Sequence, residues 1–133
     1  MPREVRRPAG IPVAPLDGTW VPVLAAWPGA DRTLVDAAVT AGARGIVVEA
    51  LGSGNIGPDM GAGVSDALEA GVQVVITSRV PAGEVTLAYG GSGGGATLGS
   101  RGALSAGHLR AGQARMALVV ALATGNDASD LLL

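Results

Sequence analysis

Two apolar runs limit what this chain can become. Gly45-Ile46-Val47-Val48-Glu49-Ala50 and Val72-Gln73-Val74-Val75-Ile76-Thr77 are each the length of one strand and rich in β-branched side chains. A half-exposed strand alternates apolar and polar residues, whereas a strand buried on both faces reads as a continuous run. Between the runs, Met60, Val64, Ala67 and Leu68 recur at helical spacing. Pro58 suits the first helical position, where a missing N–H costs nothing, and Gly71 marks the stop. Buried strands joined through a helix pair in parallel, because a tight turn cannot connect parallel strands.

The same unit begins upstream. Val21–Ala26 reads as a short strand, with Pro22 near its start or marking an edge. Pro28-Gly29 turns the chain. Asp31 caps a helix over Arg32–Ala41 that carries Leu34, Val35, Ala38 and Val39 on one face, and Gly42 closes it. After Ser78-Arg79-Val80-Pro81 regularity is lost. The glycine-rich residues 90–95 read as a plain loop, and a fourth short strand is expected near Gly102–Ser105. The last helix spans Arg110–Ala123, with Ala114, Leu118, Ala121 and Leu122 inward, and Asn126–Leu133 reads as a frayed tail. The expected architecture is α/β: a flavodoxin-like three-layer α/β/α sandwich with a short parallel sheet. It occupies residues 20–124, between a Pro/Gly-rich linker over 1–19 and a tail over 125–133.

Composition removes whole classes of chemistry. The chain has 133 residues, enough for one domain, with no cysteine and a single histidine, His108. All of its basic residues are arginines. A lysine nucleophile, a thiolate, a disulfide and a P-loop are therefore absent, and one histidine gives no credible metal site. No cofactor is expected. The net charge of −2 argues against nucleic-acid binding, which needs a basic face. The longest apolar stretch, Met116–Ala123, falls far short of the roughly 20 residues that cross a bilayer. No apolar targeting run follows the basic start, so a cytoplasmic, soluble protein is expected.

In parallel sheets ligands gather at the carboxyl ends of strands. The turn Gly52-Ser53-Gly54-Asn55 falls there, and two readings are open. The glycines admit a ligand against the backbone while Ser53 and Asn55 hydrogen-bond it, or Asn55 merely caps the next helix. Glu49 either pairs with Arg79 on the neighbouring strand end or binds a ligand ammonium. Arg79 either forks a carboxylate or ties down a loop through backbone carbonyls. Tyr89 is either a local anchor or a ligand contact. His108 reads as a surface or capping residue.

These stretches resemble a known family. Val35-Asp36-Ala37-Ala38, then Gly42-Ala43-Arg44-Gly45-Ile46-Val47-Val48 running into Gly52-Ser53-Gly54-Asn55, looks like the start of the C-terminal domain of bacterial-type L-asparaginases. Val74-Val75-Ile76-Thr77-Ser78-Arg79-Val80-Pro81-Ala82-Gly83 resembles that family's V-V-x-x-S-R-x-P-x-G pattern. Tyr89 with the glycines at 90–95 resembles the loop that follows. Ser105-Ala106-Gly107-His108-Leu109 and Ala114-Arg115 resemble its S-A-G-x-L and K-A-R ending, with Gln113 in place of lysine.

The resemblance implies a two-domain amidohydrolase that converts L-asparagine to L-aspartate and ammonia. Its catalytic threonines belong to an N-terminal domain, and no such motif lies in this chain. This half then completes a substrate pocket for a small amino-acid amide and a homo-oligomer interface, with Asn55 reaching the site. Family members that read the substrate's amino group with a glutamate after the S-R-x-P-x-G pattern have no clear counterpart here; Glu84 sits nearer the pattern. The isolated chain is expected to be inactive, and a face left bare by a missing domain should be apolar and self-associating. The alternatives are a stand-alone small-ligand binding or regulatory module and an ammonia-feeding amidotransferase subunit.

Overall fold

A computed structural model describes residues 10–88, 90, 91 and 93–132. Four strands are joined through helices: β1 (Val23–Ala25), α1 (Thr33–Thr40), β2 (Gly45–Ala50), α2 (Pro58–Glu69), β3 (Gln73–Ser78), α3 (Gly95–Ser100), β4 (Leu104–Ser105) and α4 (Ala111–Thr124). All pairings are parallel and the sheet order is β1-β2-β3-β4. Right-handed crossovers that always step the same way put their helices on one face. Accordingly α1, α2 and Leu98 of α3 share one core with Ile46, Val48 and Ile76, whereas α4 covers the other face over Val47 and Val75. The result is the expected three-layer α/β/α domain.

The doubly buried reading of the two runs holds at side-chain level. Ile46, Val47, Val48, Val75 and Ile76 are all fully buried. α4 crosses β2 at Gly45, where a Cβ would stand 2.7 Å from Leu118 Cδ2. α1 begins one residue later than expected, with Arg32 rather than Asp31 at its N-cap and no side-chain cap bond, while the Asp31 carboxylate accepts from the Thr33 N–H at 2.9 Å. Arg32 then binds Asp36 at 2.7 Å and Asp66 on α2 at 2.6 Å, tying the two helices together.

Two segments differ from expectation. The glycine run does not end in loop: α3 starts at Gly95, because that glycine lets the helix close on Leu87, whose Cα would lie 2.6 Å from a Cβ there. Leu87 itself takes a positive φ of 48°, rare for a side-chain-bearing residue. The tail expected to fray instead packs. Gly125, left-handed at φ 71°, ends α4, and a 3-10 turn at Ala128–Asp130 buries Ala128 against the α4 core.

Candidate functional site

The carboxyl ends of β2 and β3 carry the loops of interest. Just past β3, Arg79 donates its backbone N–H to the carbonyl of Ala50, the last residue of β2, and its Nε–H to the Leu51 carbonyl, each at 3.0 Å. Arg79 is thus a tie between loops. The expected Glu49–Arg79 pair does not form, because the Leu51 carbonyl beyond the ladder takes the guanidinium. Glu49 sits half-buried in β2, in register with Thr77. Among the described residues the ion pairs are those of Arg32 and a 3.7 Å contact between His108 and Glu84, charged only when the imidazole is protonated.

Asn55 does not cap the helix after it. The N-cap of α2 is Gly57, which has no side-chain bond. Instead Asn55 Oδ1 accepts from the Gly95 N–H at 3.4 Å, so the amide leans on the start of α3. Its carbonyl accepts from the Leu51 N–H at 3.1 Å, and the Ile56 N–H donates to the Gly93 carbonyl at 2.9 Å. A Cβ at Gly93 would stand 2.0 Å from the Ile56 oxygen, so only glycine allows this approach. Asn55, Pro58 and the glycines at 90, 91, 93 and 94 line a depression of 370 Å³. Tyr89 lies outside the described residues.

Ser53 belongs to a second cleft of 220 Å³, between the two strand-end loops, with Ser78, Glu84 and Arg110 among its walls. Ser53 and Asn55 therefore flank one turn but face separate cavities, and Glu49 and Arg79 line neither of the two. The residue that sequence reasoning missed is Arg110. Its guanidinium donates to the carbonyls of Val80 at 2.7 Å, Gly83, and His108 at 3.3 Å. It thereby fixes the loop after β3 to the start of α4. An arginine at a helix start carries no sequence signal for distant carbonyl partners.

Three nearby hydroxyls are committed to the backbone. Thr77 donates to the Leu109 carbonyl at 2.8 Å and Ser105 to the Val85 carbonyl at 2.6 Å, while Ser78 Oγ accepts from the Val80 N–H at 3.1 Å. Among the described residues no group of three or more His, Asp or Glu side chains converges as a metal site would require. The arrangement offers shaped walls and hydrogen-bonding groups at strand ends, and among the described residues no hydroxyl is paired with a general base.

The molecule is thus a parallel α/β domain with two clefts near the carboxyl ends of its central strands. Residues 20–131 match the family model of the Glutaminase/Asparaginase C-terminal domain. The chain is 37% identical over 94 residues to an L-asparaginase of Bacillus licheniformis, covering 71% of this chain and 29% of that protein. It is 38% identical over 89 residues to a probable L-asparaginase of Deinococcus radiodurans, covering 67% and 27%. Its fold matches a crystal structure of a probable cytoplasmic L-asparaginase from Campylobacter jejuni with TM-score 0.72 and 27% identity, over 84% of this chain and 32% of that one. This chain belongs to the glutaminase/asparaginase C-terminal domain family. It spans less than a third of the length of these relatives.

Proposed function

We propose that this chain is the pocket-completing domain of an L-asparaginase-family amidohydrolase that converts L-asparagine, a small amino-acid amide, to L-aspartate and ammonia. Its partner is an N-terminal catalytic domain that supplies the nucleophile, reached through the Pro/Gly-rich residues 1–19, and the assembly is a homo-oligomer in the cytoplasm. The observation that carries this reading is the Asn55 turn, which is held from behind by Leu51, Gly93 and Gly95 yet borders an open depression. A turn held through its backbone in this way, with the Asn55 amide only lightly engaged, can orient a ligand without reacting with it. Ser53, Glu49, Arg79 and Tyr89 complete the candidate set, with Arg79 acting by holding the loops in place. The likeness to L-asparaginases supports the chemistry, and the family's C-terminal position supports the division of labour.

The test is Asn55→Ala in the assembled two-domain protein. Asparagine turnover should fall by about tenfold or more, the loss of one well-placed hydrogen bond in a desolvated site. Stability should change by less than about 1 kcal/mol, since the bond to Gly95 is long. Unaltered kinetics would remove Asn55 from the site. The isolated chain should release no ammonia from asparagine above a heat-killed control. The second reading, a stand-alone ligand-binding module, is favoured by the cleft between Ser53 and Glu84. Calorimetric titration of the chain alone with Asn, Asp, Gln and Glu separates the two, heat with any of them supporting the module.

A further inference from the structure

Among the described residues Leu87 is the one side-chain-bearing position with a positive φ, 48°. A leucine held in this left-handed region costs free energy and persists only where its surroundings fix it. Asparagine, aspartate or glycine takes the same backbone at less cost. What leucine adds here is its side chain. That side chain is half-buried and packs against the core shared by α1, α2 and α3.

Its neighbours are bare backbone from two separate segments. A Cβ at Gly54, in the turn after β2, would stand 3.0 Å from Leu87 Cδ2. On α3, a Cβ at Gly95 would stand 3.1 Å from the same Cδ2 and 2.6 Å from the Leu87 Cα, and one at Gly99 would stand 3.4 Å from Cδ1. Leu87 thus fills a socket whose walls are the Gly52–Asn55 turn and α3, and side chains at Gly54 and Gly95 would close it. The segment that carries Leu87 is itself anchored to the sheet. Val85 is buried, its N–H donates to the Gly107 carbonyl at 2.9 Å, and its carbonyl accepts from the hydroxyl of Ser105 in β4 at 2.6 Å. Between the two, the Thr86 N–H donates to the Ser53 carbonyl at 3.1 Å.

We propose that Leu87 is a positioning residue for the Asn55 amide: wedged between Gly54 and Gly95, it sets where that amide stands over its depression. The bond from the Gly95 N–H to Asn55 Oδ1 is 3.4 Å long and too weak to fix the amide by itself. The separation of two backbones fixes it instead, and the packing of Leu87 decides that separation. Gly54 directly precedes Asn55, and Gly95 carries the N–H that meets Oδ1, so the wedge touches both supports of the amide. Leu87 lines neither cleft and acts only through Asn55. Shrinking it frees the turn to shift against α3, and a displacement of about 1 Å at a ligand-orienting group lowers turnover strongly. This inference rests on reading Asn55 as such a group.

Two measurements test it. In the 133-residue chain, Leu87→Ala should shift the NMR signals of the Asn55 side-chain amide and speed exchange of the Gly95 N–H, while the Asn126 amide, bonded to Thr124, stays in place. In the two-domain protein, Leu87→Ala should lower kcat/KM for asparagine by about tenfold. Leu87→Met refills the socket and should restore it to within about twofold. Adding Leu87→Ala to Asn55→Ala should cost less than about twofold more, because both act through one group. Urea unfolding verifies that each variant folds, and Leu87→Asn, which suits the left-handed backbone, takes the place of alanine if that variant does not. An unmoved Asn55 amide, full activity in Leu87→Ala, no restoration by methionine, or the same loss with and without Asn55 overturns this inference alone. Unaltered turnover in Asn55→Ala removes the Asn55 reading and this inference with it.

Discussion

At Arg110 a single side chain holds together segments that lie far apart in sequence. Its fork reaches the carbonyls of Val80, Gly83 and His108, and its own N–H donates to Gln113 Oε1 at 2.9 Å. Lysine offers one compact charge rather than a planar fork. Arg110→Lys should therefore cost about 1–3 kcal/mol of stability and speed amide exchange across residues 79–85, with little change in α4. Urea unfolding and hydrogen exchange measure the two effects; protection unchanged over 79–85 would show that the loop does not need this anchor. At this scale the sequence was only half legible. Strand-end position marked Arg79, Ser53 and Asn55, because the run lengths locate the ends of β2 and β3. Their partners were not marked. Asn55 leans on α3, which the glycine run concealed, and Arg79 chose a carbonyl over Glu49.

Among the elements, β2 and β3 were plain because burial on both faces leaves an unbroken apolar run. α1 and α2 were plain because Asp31 and Pro58 mark their starts and Gly42 and Gly71 their stops. α3 was hidden. Gly95-Ala96-Thr97-Leu98-Gly99-Ser100 has poor helix propensity, and only the packing of Leu98 and the close approach of Leu87 make it helical. Close approach also governs the crossing of α4 over β2. Gly45→Ala would put a methyl 2.7 Å from the fully buried Leu118. The helix must then move outward or Leu118 leave its rotamer, at about 1–3 kcal/mol. Thermal unfolding should register that loss, and Gly45→Ala combined with Leu118→Val should recover part of it. A neutral single variant would mean that α4 is not fixed at this crossing.

Over the whole molecule, acid should loosen the fold through a few carboxylates. The Thr33 backbone N–H, and then its hydroxyl, hold Asp31 below its ordinary value of 3.8. Arg32 lowers Asp36, and the Ser129 hydroxyl and N–H lower Asp127. Arg32 is in turn pushed up, by Asp36 first and Asp66 second. Carboxylates that are more acidic when folded stabilise the native state above their unfolded pKa. That stability disappears as pH falls through the lowered folded values, where the unfolded chain has already taken up protons. Unfolding midpoints should therefore be flat near neutrality and drop below about pH 4, with a shallower drop in Asp36→Asn. A midpoint independent of pH down to about 3 would contradict this. The amino-acid sequence by itself determined the class of the molecule: the order of strands and helices, the burial of both central strands, and the lack of lysine and thiol chemistry. Those features follow from local periodicity and composition, which need no distant partner. Only the tertiary structure decided the separate cavities of Ser53 and Asn55, the grip of Arg110 and the helix at Gly95. Each of these depends on contacts between residues far apart along the chain, and those distances are set by packing.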